Sequence, residues 1–382
     1  MVLTKIKINN FRNYDDQEAE FNPAGAVFYG NNAQGKTNML DALYYLSFLR
    51  CRRNASDEDL IKFEKDGFYL CGEVLRKKEF LQKVEVSYSK PGEKKLKINS
   101  KFRSKFPSPE EGLKIVAFYP DDFLLVNSTP LVRRRFLNLE ISQVDASYRL
   151  WLKQYQEVIS NRNTALRRIR DKKATVKELD IWDEQLIDYG SKIINKRIAF
   201  IEDIYYISYI IHSSLTNKKE NLGMEYVSSS GNNILPVDKS VDRVSFKIAD
   251  TFRSCLLSAR NKEIAFGMTL LGPHRDDLRF LINKANASVF SSHAQARTIA
   301  ISLRLALVEF LDKFFEEPPV VLLDDVLSEL DEKRRETLLS FLAQKKVQCF
   351  ITGTNKQQFE GLLNDIEYFE VEAGAIKKQL TS

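Results

Sequence analysis

The spacing of hydrophobic residues changes along the chain, and the predicted structure changes with it. Thr4-Lys5-Ile6-Lys7-Ile8 alternates with period two, and Ala26-Val27-Phe28-Tyr29 is a short apolar run stopped by Gly30; both predict strands. Met39, Leu40, Leu43, Leu46 and Leu49 then recur at three- and four-residue spacings, the mark of an amphipathic helix. From Phe68 to Ile98, strand-like runs are broken at Lys90-Pro91-Gly92-Glu93, turn chemistry that predicts a hairpin. A further apolar run, Leu113 to Phe118, ends before Pro120.

The middle of the chain reads differently. Between Pro130 and Ser214 the only glycine is Gly190 and no further proline occurs, while Leu, Ile and aromatic residues recur at helical spacing among Lys, Arg and Glu. Several helices are expected there, then a polar loop at Ser228-Ser229-Ser230-Gly231-Asn232-Asn233 and an amphipathic helix from about Val241 to Ala259. From about Ile264 the β/α alternation returns. Leu278–Ile282 and Ser288–Phe290 read as strands, Thr298–Phe315 as a helix, and Val320-Val321-Leu322-Leu323 as a strand buried on both faces. Asp331–Leu342 reads as a helix and Val347–Ile351 as another buried strand. The fold class is therefore α/β: one lobe built from both chain ends, residues 1–125 and 264–382, with a mainly helical lobe, residues 126–263, inserted between them. No internal repeat and no sustained heptad pattern is present, which argues against a long coiled coil.

Composition narrows the class. At 382 residues, against about 100–200 per domain, the chain has room for more than one unit with ample core. The 43% hydrophobic and 29% charged content excludes long disorder. No apolar run reaches the ~18–20 residues of a membrane helix, and the first residues lack the basic start and apolar stretch of a signal peptide. The four cysteines, Cys51, Cys71, Cys255 and Cys349, are scattered with no CxxC pair, which favours buried thiols in a reducing compartment. A cytoplasmic protein with no membrane partner is expected. Net charge is +6 but uneven: Arg76–Lys105 holds eleven basic and three acidic residues, Thr129–Phe200 fifteen and nine, and Ala306–Ser382 nine and fifteen. Such asymmetry fits a basic face for a polyanion or, equally, a set of solvated helix faces.

The sharpest chemical signal is Gly30-Asn31-Asn32-Ala33-Gln34-Gly35-Lys36-Thr37, a GxxxxGK[ST] pattern placed after a buried strand and opening a helix. Backbone N–H groups of such a loop curl around phosphates, and the helix N-terminus adds positive potential. Lys36 would reach the β- and γ-phosphates and Thr37 would ligate Mg²⁺. The alternative is a glycine-rich strand-to-helix turn with an exposed lysine. Val320 to Asp325 is an apolar strand that delivers two carboxylates at its end, where a Walker-B acid sits. Asp324 would hold Mg²⁺, and Asp325 would orient or deprotonate the attacking water. Either aspartate alone could be a turn or a helix cap. The two motifs together favour nucleotide hydrolysis, with Lys36, Asp324 and Asp325 as the catalytic set and ATP and Mg²⁺ as cofactors.

The continuation Asp324-Asp325-Val326-Leu327-Ser328-Glu329-Leu330-Asp331 resembles the Walker-B and D-loop segment of ABC-type ATPases, and Ser291 to Arg297 stands where those proteins carry their signature motif. Within that class the chain resembles the RecF family of bacterial recombination mediators from end to end. The shared segments include Phe11-Arg12-Asn13-Tyr14, the AQGKTN form of the phosphate loop, and Phe118-Tyr119-Pro120-Asp121-Asp122. They continue through Arg133-Arg134-Arg135-Phe136-Leu137 and Leu271-Gly272-Pro273-His274-Arg275-Asp276-Asp277. The resemblance implies an ABC-type P-loop ATPase lobe with a mixed sheet, and a dimer closed by ATP in which Ser292 of one protomer caps the γ-phosphate held by the other. It also implies a nucleotide contact at Arg12 and Asn13, duplex or junction DNA held without regard to sequence, and RecO and RecR as partners in gap repair and recombinase loading. Slow hydrolysis is expected, because Asp325 stands where many ABC proteins have the longer glutamate.

Some positions depart from the family or stay open. The signature reads Ser-x-Gly-Gln in RecF proteins, and Ala294 occupies the glycine position, which would cost about 1 kcal/mol if φ there were positive. Ile351-Thr352-Gly353-Thr354 occupies the place of the transporter switch histidine, and no histidine is there. His212 reads as a helix residue, and neither His274 nor His293 has a second ligand at metal-binding spacing. Arg50, Arg52 and Arg53 could face DNA, nucleotide or solvent. Arg133, Arg134 and Arg135 point in different directions on a helix, and the His274–Asp277 segment could cap an element instead of serving chemistry. The absence of zinc-finger, helix-turn-helix and RRM signatures argues for shape-directed DNA binding. Competing classes are a nuclease-coupled ABC ATPase, a chromosome-organising protein, a transporter subunit, another DNA-repair ABC ATPase, and a nucleotide-binding scaffold with weak or absent hydrolysis. The short C-terminal segment, the missing heptads and the missing switch histidine count against the first three.

Overall fold

The computed structural model describes residues 1–52, 55–77, 80–103, 108–230, 233–236, 248–359 and 365–379, with backbone alone for 233–236. The N-terminal part carries β1 (Val2–Phe11), β2 (Tyr14–Glu20), β3 (Gly25–Tyr29), α1 (Lys36–Phe48), β4 (Gly67–Arg76), β5 (Phe80–Ser89), β6 (Glu93–Ile98), β7 (Lys101–Arg103) and β8 (Ile115–Phe118). The middle carries α2 (Leu124–Asn127), α3 (Pro130–Val144), α4 (Ala146–Arg170), α5 (Leu179–Leu215), β9 (Leu222–Val227), β10 (Asn233–Pro236), α6 (Ile248–Phe266), β11 (Asp277–Ile282), β12 (Ala285–Asn286), α7 (Ala287–Phe290) and α8 (His293–Phe315). The chain closes with β13 (Val320–Asp324), α9 (Glu332–Gln344), β14 (Cys349–Gly353), β15 (Glu367–Glu372) and β16 (Ala375–Gln379).

Two compact units result, Met1–Asp122 with Leu307–Ser382, and Phe123–Ala306. The first dividing line falls near the 125/126 position read from the sequence. The second falls inside α8, further along the chain than 263/264, because the segment after Ile264 joins the strands of the middle unit.

The first unit is an α/β lobe made from both chain ends. One sheet has the order β2-β1-β4-β5-β6-β7, antiparallel at every pairing, and the expected hairpin joins β5 to β6. The other runs β16-β15-β3-β14-β13-β8 and is mixed: β15, β3, β14, β13 and β8 are parallel neighbours, and β16 is antiparallel at the edge. Strands β8, β13 and β14 are buried at every residue, which is why they read as continuous apolar runs without alternation.

Helix α1 touches β4 and β5 of one sheet and β8, β13 and β14 of the other. It is consequently buried on more than the stripe its spacing predicts: Ala42, Tyr44, Tyr45 and Phe48 are buried with Met39, Leu40, Leu43 and Leu46. The polar Gln348 side chain ties the sheets together, accepting from Leu3 N–H at 2.7 Å and donating to the Leu3 and Asn22 carbonyls at 2.9 Å each. At 1% exposure it meets the requirement that a buried amide be satisfied.

The second unit packs α3, α4, α5 and α6 with a small antiparallel sheet, β10-β9-β11-β12. Ser288–Phe290 is a correction: the segment is the short helix α7, started by Asn286, whose side chain accepts from Ser288 N–H at 3.1 Å. An Asn cap outweighs the β-branched Val289 over so short a run. The helix expected from Val241 begins outside the described residues and is seen as Ile248–Phe266. Among the described residues, no helix is long and apolar enough to cross a membrane.

Candidate functional site

Three adjacent parallel strands of the first unit deliver the candidate chemistry at their C-terminal ends, where open α/β sheets bind ligands. Strand β3 runs into the loop Gly30–Gly35, β13 ends on Asp324, and β14, between them, presents Thr352 beside Asp324 in register.

The loop is shaped by backbone conformation. Gly30 has φ 144° and Gly35 φ 121°; a Cβ on Gly30 would lie 2.5 Å from the Val371 carbonyl oxygen, and one on Gly35 2.6 Å from the Asn13 amide. Ala33 takes the left-handed region at φ 65°. Asn31, Asn32 and Ala33 form the exposed tip, while Gly35 is buried. Asn13 Nδ2 donates to the Gln34 carbonyl at 2.9 Å, Asn38 Nδ2 donates to Asn13 Oδ1 at 2.8 Å, and Tyr14 Oη donates to the Gly35 carbonyl at 2.9 Å. On the far side, Gly374 N–H donates to the Gln34 carbonyl and Ala373 N–H to Gln34 Oε1. The turn between β15 and β16 therefore helps to fix the loop.

Gly35 caps α1 without a side-chain oxygen, and the first turn carries no acidic residue. The leading N–H groups of the helix are left for an anion. Lys36 Nζ folds back over the loop and donates to the carbonyls of Gly30 at 2.6 Å and Asn31 at 2.8 Å. Burial lowers its pKa, opposed by the carboxylates of Asp325 and then Asp324.

Thr37 Oγ1 donates to Asp324 Oδ1 at 3.0 Å, and Thr352 Oγ1 donates to the same oxygen at 2.8 Å. Asp324 is 6% exposed and Thr352 2%. Asp325 is exposed with φ 52°; its N–H donates to Thr352 Oγ1 at 2.9 Å, and Ser328 Oγ donates to its Oδ1 at 3.1 Å. Thr37 and Asp324 offer hard oxygen donors at the mouth of a phosphate loop. That set fits Mg²⁺, which keeps several waters and takes one or two carboxylates besides substrate phosphates.

Sequence reasoning missed Thr352, having weighed that segment only for a histidine. The signal available was a threonine closing the apolar run Cys349-Phe350-Ile351.

Arg12 sits apart from Asn13 in its contacts. With φ 55°, it directs its guanidinium to Asp41 Oδ2 at 3.5 Å, the Asp59 carbonyl at 3.3 Å and Cys51 Sγ at 3.6 Å. Arg52 pairs with Asp121 and stacks over Tyr119 at 3.5 Å from the ring centroid; Arg53 lies outside the described residues. Much of the basic excess is paired internally: Arg76 with Glu317, Lys94 with Asp57 and Arg103 with Glu111.

In the second unit Ser292 is exposed immediately before α8. Ala294 lies in the first turn of that helix, where φ is negative, so the alanine meets no left-handed strain. Arg133 is buried and binds Asp277 through two bonds, 2.7 and 2.9 Å, and Arg134 donates to the Asp276 carbonyl at 2.9 Å. Asp276, 1% exposed, accepts from Ser229 N–H, Ser229 Oγ and Tyr226 Oη at 2.6–2.7 Å. Arg197 donates to Tyr148 Oη, Tyr226 Oη, Asn138 Oδ1 and the Pro273 carbonyl. The triple-arginine and His274–Asp277 segments thus clasp each other in a buried polar framework. Among the described residues, no group of three or more His, Cys, Asp or Glu side chains could hold a metal ion.

Comparison with known proteins agrees with this geometry. Residues 2–377 match the family described as RecF/RecN/SMC N terminal domain. A DNA replication and repair protein RecF from Natranaerobius thermophilus is 38% identical over 365 residues, 94% of this chain and 93% of that protein. Its counterpart from Ligilactobacillus salivarius is 37% identical over 385 residues, covering 99% and 98%. A solved structure described as the recombination mediator protein RecF-ATP in the RecFOR pathway superposes with a TM-score of 0.87 at 32% identity, covering 99% of this chain and 97% of that one. The mixed-sheet lobe is the ABC-type P-loop ATPase fold, and the chain belongs to the RecF family.

Proposed function

We propose that this protein is an ATP-gated DNA-binding ATPase of recombinational repair. Two protomers close around ATP, the closed dimer clamps duplex DNA beside a single-stranded gap, and hydrolysis releases it. Recombinase loading with RecO and RecR is the task this implies. The observation that carries the reading is the convergence of Lys36, Thr37 and Asp324 on one mouth, held by Thr352.

In this reading the N–H groups of Gly30–Thr37 bind the phosphates, and Lys36 exchanges its two loop carbonyls for β- and γ-phosphate oxygens. Thr37 and Asp324 hold Mg²⁺, which supplies charge neutralisation on the phosphates when bound. Asp325, exposed beside Asp324, positions the attacking water and accepts its proton. Its short side chain suits slow turnover, as a switch requires. Ser292 of the second copy caps the γ-phosphate, and the helical first turn at Ala294 supports this because no backbone strain opposes it. Asn13 shapes the loop; Arg12 reaches nucleotide only by leaving Asp41 and Asp59. DNA is held through phosphates by exposed Lys and Arg, so affinity falls steeply with salt and is indifferent to sequence.

Sedimentation with and without ATP–Mg²⁺ and gapped duplex DNA, with Lys36→Met as control, tests the reading. A nucleotide-dependent shift from monomer to dimer, coupled to DNA binding and lost in the variant, supports it. A monomer under every condition despite bound ATP removes the clamp and leaves the fold and nucleotide site.

A further inference from the structure

The exposed Ser292 belongs to a chain of hydrogen bonds that continues well beyond the signature segment. Ser292 and Gln295 form a reciprocal capping box: Gln295 N–H donates to Ser292 Oγ at 3.2 Å, and Ser292 N–H donates to Gln295 Oε1 at 2.9 Å. With Oε1 committed, the Gln295 amide has its Nε2 donors left. One goes to Glu220 Oε1 at 2.8 Å. Glu220 lies between α5 and β9, and its other oxygen meets Nε2 of His212, fully buried in the last turn of α5, at 3.2 Å. His212 Nδ1 is 3.4 Å from Ser302 Oγ, and Ser302 donates to the Thr298 carbonyl at 2.7 Å. The path leaves the first turn of α8, passes through Glu220 and the end of α5, and returns to α8 at Ser302.

This arrangement constrains the residue types. A carboxylate at 220 needs a donor opposite it, and the amide at 295 supplies both functions at once, accepting from Ser292 N–H and donating to Glu220. Glutamate at 295 would keep the capping box but set two carboxylates within hydrogen-bond distance. Without Glu220 the amide could still cap, but its Nε2 would lose a charged partner at 2.8 Å and the first turn would lose its tie to α5.

We propose that Glu220 is a positioning residue for the signature serine: by holding the Gln295 amide it fixes Ser292 for the γ-phosphate bound by a second copy of the chain. The inference rests on the composite site described under the proposed function, and it assigns that site a residue outside every nucleotide-binding motif. Glu220 does not touch nucleotide itself. Its effect is on the step that joins two protomers, and nucleotide binding by one protomer is untouched.

The test uses the full chain and four variants: Glu220→Ala, Glu220→Gln, Gln295→Glu, and the exchange Glu220→Gln with Gln295→Glu. Nucleotide affinity at monomeric protein concentration, ATP-driven dimerisation by sedimentation velocity, and hydrolysis are measured for each. Glu220→Ala and Gln295→Glu keep nucleotide affinity but weaken dimerisation and hydrolysis by about tenfold, the equivalent of one hydrogen bond to a charged group. Glu220→Gln preserves an acceptor for the amide and loses less. The exchange puts the carboxylate on the helix and the donor opposite, and it recovers most of the dimerisation lost by Gln295→Glu, which a general loss of stability would not do. Should Glu220→Ala fail to fold, the Gln295→Glu variant and its rescue decide the matter. Wild-type dimerisation with Glu220→Ala and Gln295→Glu indistinguishable from it overturns the role of Glu220 alone, and so does an exchange that fails to rescue. Absence of ATP-driven dimerisation in the wild type overturns the composite site and this inference with it.

Discussion

Thr352 Oγ1 donates to Asp324 Oδ1 at 2.8 Å and accepts from the N–H of Asp325 at 2.9 Å, so one hydroxyl orients both candidate acids. The bond to Asp324 joins neighbouring parallel strands at directly opposed positions, which makes its geometry a property of the sheet. Replacing the hydroxyl by a methyl group in Thr352→Val keeps the shape but leaves Asp324 with Thr37 as its remaining hydroxyl donor and the Asp325 amide without this acceptor. ATP hydrolysis is expected to fall by about 10- to 100-fold, with a higher Mg²⁺ requirement, as happens when partners that orient metal ligands are lost. Thr352→Ser should retain most activity. A Mg²⁺ titration of hydrolysis in the three proteins checks this, and an unchanged Thr352→Val would show that Asp324 needs no such support.

Asp325 adopts φ 52°, a conformation asparagine tolerates as readily as aspartate, so Asp325→Asn changes charge without backbone penalty. Under the proposed role of Asp325 as general base, turnover falls by about 10²- to 10⁴-fold while nucleotide binding persists. The expected outcome is a protein that dimerises with ATP and stays dimeric for far longer than the wild type. Comparable release rates in the two proteins would move the base elsewhere.

The phosphate loop and the paired aspartates were legible in the sequence because their chemistry requires adjacent residues after a buried strand, and adjacency survives in one dimension. The fully buried strands β8, β13 and β14 were legible for a related reason: burial on both faces leaves no alternation to confuse. Thr352 was not, since its role depends on which strand lies beside β13, and sheet order is a long-range property. The same holds for Glu220, whose partners His212 and Gln295 are on different helices. Helix α1 was read as amphipathic because tyrosines and alanine do not stand out as core residues until two sheets enclose them. The basic count between Thr129 and Phe200 overstates the surface charge: Arg133, Arg162 and Arg197 are buried and hydrogen-bonded, a fate composition cannot register, while the other basic residues of the segment stay exposed or part-exposed.

Arg162 is the clearest case of such a buried cation. At 0% exposure its guanidinium binds Asp183 at 2.7 Å, Glu263 at 2.6 Å and Thr269 Oγ1 at 2.9 Å, linking α4, α5 and α6. Arg162→Met would leave Glu263 buried without its cation and Asp183 reliant on Arg260, which sits 2.6 Å away. The expected loss is about 3–5 kcal/mol of folding stability, characteristic of a broken buried ion pair. Arg162→Lys should recover little, because an ammonium cannot reproduce the planar fork that reaches three partners. Urea unfolding of the three proteins checks the order, and a loss near 1 kcal/mol would mean that water replaces the missing partner.

His274 ties acid stability to the same framework. Its Nε2 lies 3.2 Å from the Thr269 carbonyl, which can only accept, so Nε2 carries the proton and Nδ1 accepts from Tyr155 Oη at 2.9 Å. Burial pulls the pKa down to about 4 from an ordinary 6.5, with Arg275 and Arg134 adding to the shift and the Thr269 bond and Asp276 opposing it. Above pH 6.5 both the folded and unfolded chains hold this ring neutral, and its contribution is complete. As pH falls from 6.5 to 4 the unfolded chain binds a proton that the folded chain refuses, so folding stability drops; below 4 both are protonated and the loss stops. The drop attributable to His274 is about 3 kcal/mol. His274→Gln removes the titration, and it should be less stable than the wild type at pH 7 with a gap that narrows as pH falls toward 4. Unfolding midpoints for both proteins at several pH values in that window give the gap directly. Parallel curves would show that the ring is already protonated, or already solvated, in the folded protein.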